Sequence, residues 1–343
     1  MTIRVGVNGY GTVGRRVADA VRAQSDMTLV GVTKTRADYR ARLAIEKGIE
    51  IYLPNEESKD TFAKAKVAQS GTLSDLLGKV DVIVDATPEL GAEYKPLYDK
   101  AGVKSVFQGG EEHELTGISF VAQCDYDSAK GKRGVRVVSC NTTALCRTLH
   151  ALDGAFGVSK ARAVLARRAA DPDEVSKGPI DAIVPDPITV PSHHGPDVVS
   201  VMNGLNITTM AIKVPVTHMH LHSVMVTLKS NATKEAVVAA FEKEPRIMLI
   251  DGKSGFKSTS QIVDWARERG RPRNDVYEAT IWRDSVGLVD NEVYLFLAVN
   301  QEAIVTPENV DAIRAVASGA DRATSMASTD ASLGIKPPLG GYT

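Results

Sequence analysis

The chain has 343 residues, of which 43% are hydrophobic and 24% charged, and its formal net charge is −1. This length exceeds what one hydrophobic core usually organises, so two domains are expected. The charge balance offers no attraction to nucleic acid or to an anionic membrane, and neither is expected as a partner. Three cysteines without C-x-x-C spacing favour a reducing cytoplasm over a disulfide framework or a zinc–thiolate site.

A strand is predicted over residues 3–7, and a glycine-rich turn and a helix follow it at once. This early strand leaves no room for a signal peptide, and no apolar run reaches the roughly 18 residues of a spanning helix. The turn has the pattern G-x-G-x-x-G over residues 9–14, in the strand–turn–helix context of dinucleotide binding. Gly9 permits the turn, Gly11 lets the backbone approach a pyrophosphate, and Gly14 allows close packing. The alternative is a glycine-rich turn without a ligand.

A second strand, over residues 29–32, ends at Thr33-Lys34-Thr35-Arg36. An NAD-selective fold usually carries an acidic residue here, which holds the ribose 2′-hydroxyl. The cations and hydroxyls of this chain suit a 2′-phosphate instead, so NADP is expected to be accepted and favoured over NAD. The alternative is that Lys34 and Arg36 are solvated loop charges.

Strands and helices continue to alternate after this point. A strand over residues 80–85 ends near Thr87, a helix covers residues 93–100, and a strand over 105–107 precedes Gly110. Such alternation predicts an α/β fold with a Rossmann-type doubly wound parallel sheet. Ligands bind beyond the carboxyl ends of such strands. Thr87 and Gly110 are therefore expected near the glycine turn, together with a cysteine that follows the next strand.

That cysteine is Cys140, which lies between the apolar run 135–138 and a helical pattern of leucines. A sulfur at a helix N-terminus meets unpaired N–H groups and the positive end of the helix dipole. Both favour thiolate over thiol, and a thiolate is a nucleophile. The sequence therefore predicts covalent catalysis by Cys140. The alternative is a buried structural cysteine.

The second half of the chain carries a basic cluster. A strand over residues 161–168 ends in Arg167 and Arg168, and a long segment over residues 170–197 holds Lys177, His193 and His194. These groups could bind a phosphate. The alternative is that the segment is a subunit-contact arm and that the arginines pair with the aspartates after them.

Residues 214–228 are predicted to form a strand or a hairpin that contains His218, His220 and His222. At a period of two the three histidines would share one face. Three readings stay open: a metal site, structural histidines, and a general base that serves Cys140. Further helices (234–243, 261–268, 307–317) and strands (276–282, 285–289, 292–299) indicate an α+β catalytic domain with a mixed or antiparallel sheet.

Several separated motifs, taken together, are shared with one family. They are N-G-Y-G-T-V-G from residue 8, V-T-K-T from 32, Q-G-G-E from 108, S-C-N-T-T from 139, L-C-R from 145, R-R from 167 with A-D-P from 170, V-S-K-G-P-I from 175, and P-S-H-H-G-P-D from 191. On these motifs the chain resembles archaeal-type glyceraldehyde-3-phosphate dehydrogenase over nearly its whole length. His218 and Asn300 depart from the family pattern.

The resemblance implies specific roles for individual residues. Cys140 matches the nucleophile and His220 the catalytic histidine. The positions that match cofactor contacts are Thr12, Val13, Gly110, Arg168 and Gln301. The positions that match the surroundings of the phosphorylated substrate are Ser139, Asn141, Thr142, His193 and His194, and Arg167 joins them as a candidate for the substrate phosphate.

The resemblance also implies an architecture and a reaction. Residues 1–139 would form the dinucleotide-binding domain, residues 140–302 the catalytic domain, and residues 303–343 would return to the first domain. The chain would be a homotetramer whose interface includes the segment from residue 170. It would oxidise D-glyceraldehyde 3-phosphate with NAD(P)⁺ and inorganic phosphate to 1,3-bisphosphoglycerate, through a thiohemiacetal and a thioester, with His220 as base. The alternatives are another thiolate-dependent aldehyde or semialdehyde dehydrogenase, and a nucleotide-binding regulator without turnover.

Overall fold

The computed structural model describes residues 2–169 and 182–336. The chain divides into two compact units. The first consists of Met1–Val137 and Thr306–Leu333, and the second consists of Val138–Val305 and the described residues after 333. The last helices thus group with the first unit, whereas residues 334–336 group with the second. Lys177 lies outside the described residues.

Strands and helices alternate through the first 137 residues, and longer strands follow in the second unit. The strands are β1 (Ile3–Asn8), β2 (Met27–Thr33), β3 (Ile51–Tyr52), β4 (Val82–Asp85), β5 (Lys104–Phe107), β6 (Ser119–Phe120), β7 (Gly134–Val137), β8 (Val158–Arg168), β9 (Val184–Pro185), β10 (Ile207–Val214), β11 (His220–Leu228), β12 (Ile247–Ile250), β13 (Ala279–Trp282), β14 (Gly287–Val289) and β15 (Glu292–Val299). The α-helices are α1 (Thr12–Arg22), α2 (Tyr39–Glu46), α3 (Lys59–Lys64), α4 (Leu73–Leu77), α5 (Gly91–Ala101), α6 (Ala122–Asp125), α7 (Cys140–Phe156), α8 (His194–Val201), α9 (Lys234–Glu242), α10 (Thr259–Glu268), α11 (Thr306–Ala317) and α12 (Arg322–Leu333).

The first unit is built on a parallel sheet with the strand order β3-β2-β1-β4-β5-β7-β6. The order reverses between β1 and β4, because the chain winds outward from β1 first in one direction and then in the other. In open α/β sheets a ligand binds beyond the carboxyl ends of the strands at such a switch point. The predicted Rossmann-type fold is confirmed, and its switch point lies where the glycine turn leaves β1.

The C-terminal helices are joined to the start of the first unit by one buried guanidinium. Arg314 of α11 is 3% exposed. Its Nε donates to Asp26 Oδ2 (2.8 Å), its Nη2 to Gln24 Oε1 (2.6 Å), and its Nη1 to Thr329 Oγ1 of α12 (2.6 Å). Hydrogen bonds to a charged group are among the stronger ones in proteins. Arg314 therefore fastens the last two helices to the segment between α1 and β2.

The second unit contains a mixed sheet in the order β12-β13-β15-β11-β8-β10-β9, with β14 added beside β15. The central strands β15, β11 and β8 are antiparallel, whereas β8 pairs with β10 in parallel. Along β11 buried and half-buried residues alternate, and His220 and His222 share the buried face with Val224. The expected α+β domain with a mixed sheet is confirmed.

The opposite face of this sheet carries exposed apolar side chains in register. Val164 of β8 pairs with Met210 of β10 on one side and with Ser223 of β11 on the other, and Ser223 pairs with Phe296 of β15. Met210 is 51% exposed and Phe296 48%. We refer to the row formed by Met210, Val164, Ser223 and Phe296 as the outer row.

Two expectations for the second unit are wrong. Residues 214–228 do not form one strand or a hairpin, because β10 and β11 both flank β8 and the segment between them contains Met219 at φ +63°. His218 precedes this left-handed residue, lies outside β11 and is exposed. It therefore does not share a face with His220 and His222.

Within residues 2–169 and 182–336, no helix combines the length and apolar character that crossing a bilayer requires.

Candidate active site

The glycine turn after β1 has the tight geometry that its sequence predicts. Gly9 has φ +99°, and a Cβ there would lie 2.9 Å from the carbonyl carbon of Ala86, after β4. A Cβ on Gly14 would lie 1.9 Å from the carbonyl oxygen of Gly9, whereas one on Gly11 would meet no atom within 4 Å. Gly11 is also the N-cap of α1, and no side chain caps that helix. An open, uncapped helix start beside a crowded turn fits a dinucleotide pyrophosphate.

A buried chain of hydrogen bonds holds this turn from the protein interior. The Gly9 N–H donates to Thr33 Oγ1 (2.8 Å), and Thr33 Oγ1 donates to Asn8 Oδ1 (2.5 Å). Asn8 Nδ2 in turn donates to the hydroxyl of Tyr98 (2.7 Å). The Thr33 hydroxyl, a predicted cofactor contact, is thus engaged within the protein, where it fixes the turn.

The same chain ends at a buried carboxylate. Asp85 accepts the Tyr98 hydroxyl (2.6 Å) on one oxygen, and the hydroxyl (2.5 Å) and backbone N–H (2.9 Å) of Thr87 on the other. Burial raises the pKa of Asp85, although these hydrogen bonds oppose the rise. The Thr87 hydroxyl is thus also engaged within the protein. The Thr87 carbonyl oxygen lies close to Gly109, where a Cβ would be 2.0 Å from it. Gly110 follows with φ +104° on the exposed side.

The cation predicted to select a 2′-phosphate has a carboxylate partner. Lys34 is 9% exposed, and its Nζ lies 2.8 Å from Asp38 Oδ2. The other Asp38 oxygen caps α2 by accepting the N–H groups of Arg40 and Ala41. Partial burial raises the pKa of Asp38, but Lys34 and the helix N–H groups outweigh it and lower that pKa. Thr35 and Arg36 are exposed.

In the second unit, Cys140 is the first residue of α7, as the sequence predicts. Ser139 is the N-cap, and its Oγ accepts the N–H of Thr142 (3.3 Å) and lies 2.9 Å from Thr142 Oγ1. Ser139 and Thr142 therefore close the start of the helix against each other. Their predicted contact with substrate stays a prediction.

The expected ionisation of Cys140 is opposed by its burial. Burial raises the pKa of Cys140 to about 11, while Arg167, Arg168 and the backbone N–H of Asn141 lower it and Glu302 raises it. Desolvation thus outweighs the helix terminus and opposes the thiolate. By its exposed surface Cys140 is only partly buried, and the thiolate nucleophile stays a prediction.

His220 lies at the start of β11 and is 1% exposed. Burial first, and then His222 and the two arginines, hold its pKa well below the ordinary value, so the ring is neutral. Its Nδ1 accepts the backbone N–H of Arg168 (2.9 Å), which places the ring proton on Nε2. In the described part of the chain no three His, Cys, Asp or Glu side chains are grouped as a metal ion needs.

The two arginines at the end of β8 have different surroundings. The side chain of Arg168 is 2% exposed, and its Nη1 lies 2.7 Å from Glu302 while its Nε donates to Gln301. Two predicted cofactor contacts, Arg168 and Gln301, are therefore brought together. Arg167 pairs with Asp186 (2.8 Å), and its buried Nε has no partner among residues 2–169 and 182–336.

Of two neighbouring histidines, His193 lies at the surface and His194 in the interior. Their rings stack with centroids 3.9 Å apart. His193 is exposed, whereas His194 is 1% exposed and has both nitrogens engaged, Nε2 by Asn141 Nδ2 (3.2 Å) and Nδ1 by Ser192 Oγ (3.1 Å). Of the two, His193 is the one that can face a ligand.

Arg167 connects the groups of this cluster electrostatically. Its charge lowers the pKa of Cys140 and of the three buried histidines His194, His220 and His222. Cys140, His220, Asn141, His194 and both arginines thus belong to one electrostatic cluster, and their roles in catalysis and binding stay predictions. Sequence reasoning missed the inward roles of His222, Ser192, Thr209, Glu302 and Asp38. For His222 a signal existed, since it lies two residues from His220 on the same strand face.

A doubly wound sheet with an open glycine turn, and a second α+β unit with a cysteine at a helix start, define a dinucleotide-dependent dehydrogenase. Residues 139–285 match the family model of the glyceraldehyde 3-phosphate dehydrogenase C-terminal domain, and residues 3–119 match that of the dihydrodipicolinate reductase N-terminus. Three archaeal relatives are named glyceraldehyde-3-phosphate dehydrogenase. The one from Thermococcus kodakarensis is 52% identical over 98% of this chain and 99% of its own length. The one from Metallosphaera sedula is 52% identical over 97% and 98%, and the one from Methanobrevibacter smithii 49% identical over 96% and 99%. The chain belongs to the glyceraldehyde-3-phosphate dehydrogenase family.

Proposed function

We propose that the protein oxidises D-glyceraldehyde 3-phosphate, with NAD(P)⁺ and inorganic phosphate, to 1,3-bisphosphoglycerate. The observation that carries this proposal is the cluster of Cys140, His220 and two arginines at the start of α7, in a chain that belongs to the family so named. The free state of all three cysteines supports a reducing, cytoplasmic setting for such a thiol enzyme.

The proposed chemistry begins with ionisation of Cys140, whose proton leaves to solvent. The sulfur then attacks the aldehyde carbon, a C–S bond forms, and the C=O electron pair moves to oxygen. That oxyanion is stabilised by backbone N–H groups at the start of α7 and by His220. A bound nicotinamide dinucleotide supplies the acceptor for the hydride of the aldehyde carbon. Phosphate then attacks the resulting thioester, and the thiolate of Cys140 leaves.

We propose two roles for His220 Nε2 in this reaction: it donates a hydrogen bond to the oxyanion, and it acts as the base. With Nδ1 accepting the Arg168 N–H, Nε2 carries the proton and is a donor for the oxyanion. To act as the base, Nε2 must lose that proton, which requires the hydrogen bond from Arg168 to open. The neutral ring that burial imposes is the state a base needs, since an imidazolium has no free lone pair.

The substrate phosphate is assigned to Arg167 and His193. Arg167 Nε is buried and has no partner in the described residues, and such a donor costs free energy until an acceptor meets it. A phosphate oxygen is a suitable acceptor for a guanidinium. His193 is exposed and its ring stacks on that of His194, whose pKa the charge of Arg167 lowers, so we assign His193 as a second donor.

For the cofactor we propose NADP over NAD, with the pyrophosphate at Gly9, Gly11 and Gly14 and the 2′-phosphate at Lys34. The glycine geometry and the uncapped start of α1 support the first assignment. The position of Lys34 directly after β2, where dinucleotide folds hold the ribose, supports the second.

We further propose a homotetramer in which the outer row is covered by another copy of the chain. A row of exposed apolar side chains on neighbouring strands, interrupted here by Ser223, is unusual for a monomer and typical of an interface. Exposed Val164, Met210 and Phe296 support this assignment.

A substitution of the nucleophile tests the function. Cys140→Ser should lower kcat for phosphate-dependent oxidation of glyceraldehyde 3-phosphate by about a thousandfold or more, because an alcohol does not form the thioester. Calorimetric titration should find the affinity for NADP unchanged. The control is Cys124→Ser, which changes another half-buried free cysteine and should keep full activity. Appreciable phosphate-dependent turnover by Cys140→Ser would rule out covalent catalysis. Faster turnover of a semialdehyde without phosphate would indicate the other dehydrogenase class.

A further inference from the structure

We propose that His222 is a positioning residue for the nucleophile: through a buried hydrogen bond to Asn141 it sets the first turn of α7 against β11. This inference rests on the proposed role of Cys140 as nucleophile. His222 has no assigned part in the chemistry described above.

The order of residues on α7 and β11 places His222 and Asn141 beside the two reacting groups. Asn141 follows Cys140 at the start of α7, and His222 follows His220 by one full period on the same face of β11. His222 Nε2 lies 2.9 Å from Asn141 Oδ1. A bond between the residues next to the nucleophile and the catalytic histidine fixes the spacing of the elements that carry both.

Asn141 is held from its other side as well. Its Nδ2 donates to His194 Nε2 (3.2 Å), and His194 Nδ1 lies 3.1 Å from Ser192 Oγ. Ser192 Oγ lies 2.8 Å from Thr209 Oγ1 of β10. Thr209 Oγ1 also accepts the N–H of Gly195 (2.9 Å) and donates to the Ser192 carbonyl (3.1 Å). The helix start is therefore clamped between β11 and β10.

In the hydrogen-bond chain from His222 to Ser192, every donor meets an acceptor when the ring protons are placed as follows. Asn141 Oδ1 can only accept, so His222 carries its proton on Nε2. Asn141 Nδ2 can only donate, so His194 accepts at Nε2 and carries its proton on Nδ1, which then donates to Ser192 Oγ. The arrangement requires His194 to be neutral, because its Nε2 accepts, whereas His222 only donates and is kept neutral by its burial. Burial lowers the pKa of His222 to about 3 and that of His194 to about 2, which meets this requirement at neutral pH.

The residues of this hydrogen-bond chain are also buried away from solvent. His222 and Thr209 are 0% exposed and Asn141 is 2% exposed, so water does not compete for their hydrogen bonds. The remaining nitrogen of His222, Nδ1, is buried without a partner in the described ranges. The bond to Asn141 is thus the polar contact that the structure gives His222, and its effect falls on the residue beside Cys140.

Two substitutions of His222 separate positioning from packing. His222→Gln keeps a donor at about the place of Nε2, whereas His222→Phe keeps a ring of similar bulk without the donor. We expect His222→Phe to lower kcat by about ten- to a hundredfold with little change in KM, because small displacements of a reacting group have effects of this size. His222→Gln should recover most of kcat. The control is His218→Gln, which changes an exposed histidine outside β11 and should match the wild type.

The outcomes distinguish the possible failures. If the wild type does not turn over glyceraldehyde 3-phosphate, the proposed function fails. If the wild type is active and His222→Phe retains kcat within about twofold, or if Gln and Phe lose the same amount, the positioning role is wrong. Should His222→Phe not fold, Ser192→Ala replaces it, since it removes the acceptor of His194 Nδ1. For Ser192→Ala, a fall in kcat smaller than that expected of His222→Phe, at constant KM, supports the positioning role. An unchanged kcat overturns it.

Discussion

At the scale of single residues, the ion pair between Lys34 and Asp38 bears directly on the choice of cofactor. The lysine supplies the positive charge expected for a 2′-phosphate, but the carboxylate lies 2.8 Å from its Nζ. A phosphate placed at Lys34 would therefore have to share the ammonium with Asp38 and to meet its negative charge. Asp38 thus opposes NADP, whereas Lys34 favours it.

Asp38→Asn separates these two effects. Asn is also a preferred N-cap residue, so α2 should keep its cap while the competing charge is removed. We expect the Kd for NADP to fall by about fivefold, in keeping with the modest energies of partly exposed pairs, and the Kd for NAD to change by less than about twofold. Titration calorimetry with both dinucleotides measures the ratio. The matched variant Lys34→Met should weaken NADP selectively, and equal losses for both cofactors would contradict the assignment of the 2′-phosphate to this position.

At the scale of elements, the start of α7 depends on two buried neutral histidines, which makes the second unit sensitive to acid. In the unfolded chain a histidine takes up a proton below about pH 6.5. In the folded chain His222 does so only near pH 3 and His194 near pH 2. The unfolded state therefore binds more protons between these values, and the free energy of unfolding falls as the pH drops below 6.5.

Urea unfolding at pH 7 and pH 5 measures this loss. Each histidine should contribute up to about 1.4 kcal/mol per pH unit in that window. Because Asp85, whose pKa is raised by burial, changes stability in the opposite sense, the comparison is made between the wild type and His222→Gln. The variant lacks one of the three buried histidines, His220 being the third, so its free energy of unfolding should depend less steeply on pH. Identical slopes for the two proteins would show that His222 is not held neutral.

Elements with regular apolar patterns were predictable from the sequence, and elements with polar interiors were not. The β1–turn–α1 unit followed from its glycines and alternating valines. β10 was missed because its buried residues are Thr209, a member of the hydrogen-bond chain, and the small Ala211, while Met210 points to the exposed face. α12 was missed for a similar reason, since its buried face carries Ser325 and Thr329, both bonded to Asp311.

The site was predictable as a set of residues but not as a hydrogen-bond arrangement. The helix-start context indicated Cys140, and the family resemblance indicated His220. The positive φ of Met219, which removes His218 from the strand, leaves no trace in a period-two pattern. The desolvation of Cys140 is also a tertiary property, and by raising the pKa it opposes the ionisation that the local sequence favours.

At the scale of the whole molecule, the outer row is the exposed apolar surface that we propose as the interface between subunits. Phe296→Asp places a charge at one end of this row and should shift the proposed tetramer towards smaller species. Light scattering coupled to size-exclusion chromatography gives the mass before and after the change. The control is Tyr39→Asp, which changes a 60% exposed aromatic residue on the first unit and should leave the mass unaltered. An unchanged mass for Phe296→Asp would mean that the row lies outside any interface.

The division of the chain also has a consequence for its synthesis. The first unit is discontinuous, because Thr306–Leu333 complete a body that begins with the first 137 residues. Domains usually fold in order as they leave the ribosome. Here the amino-terminal half must wait for the last helices, while the stretch from Val138 to Val305 is complete earlier. Ribosome-bound chains that stop before Arg314 should therefore carry an unfinished nucleotide-binding half, a state open to chaperones until translation ends.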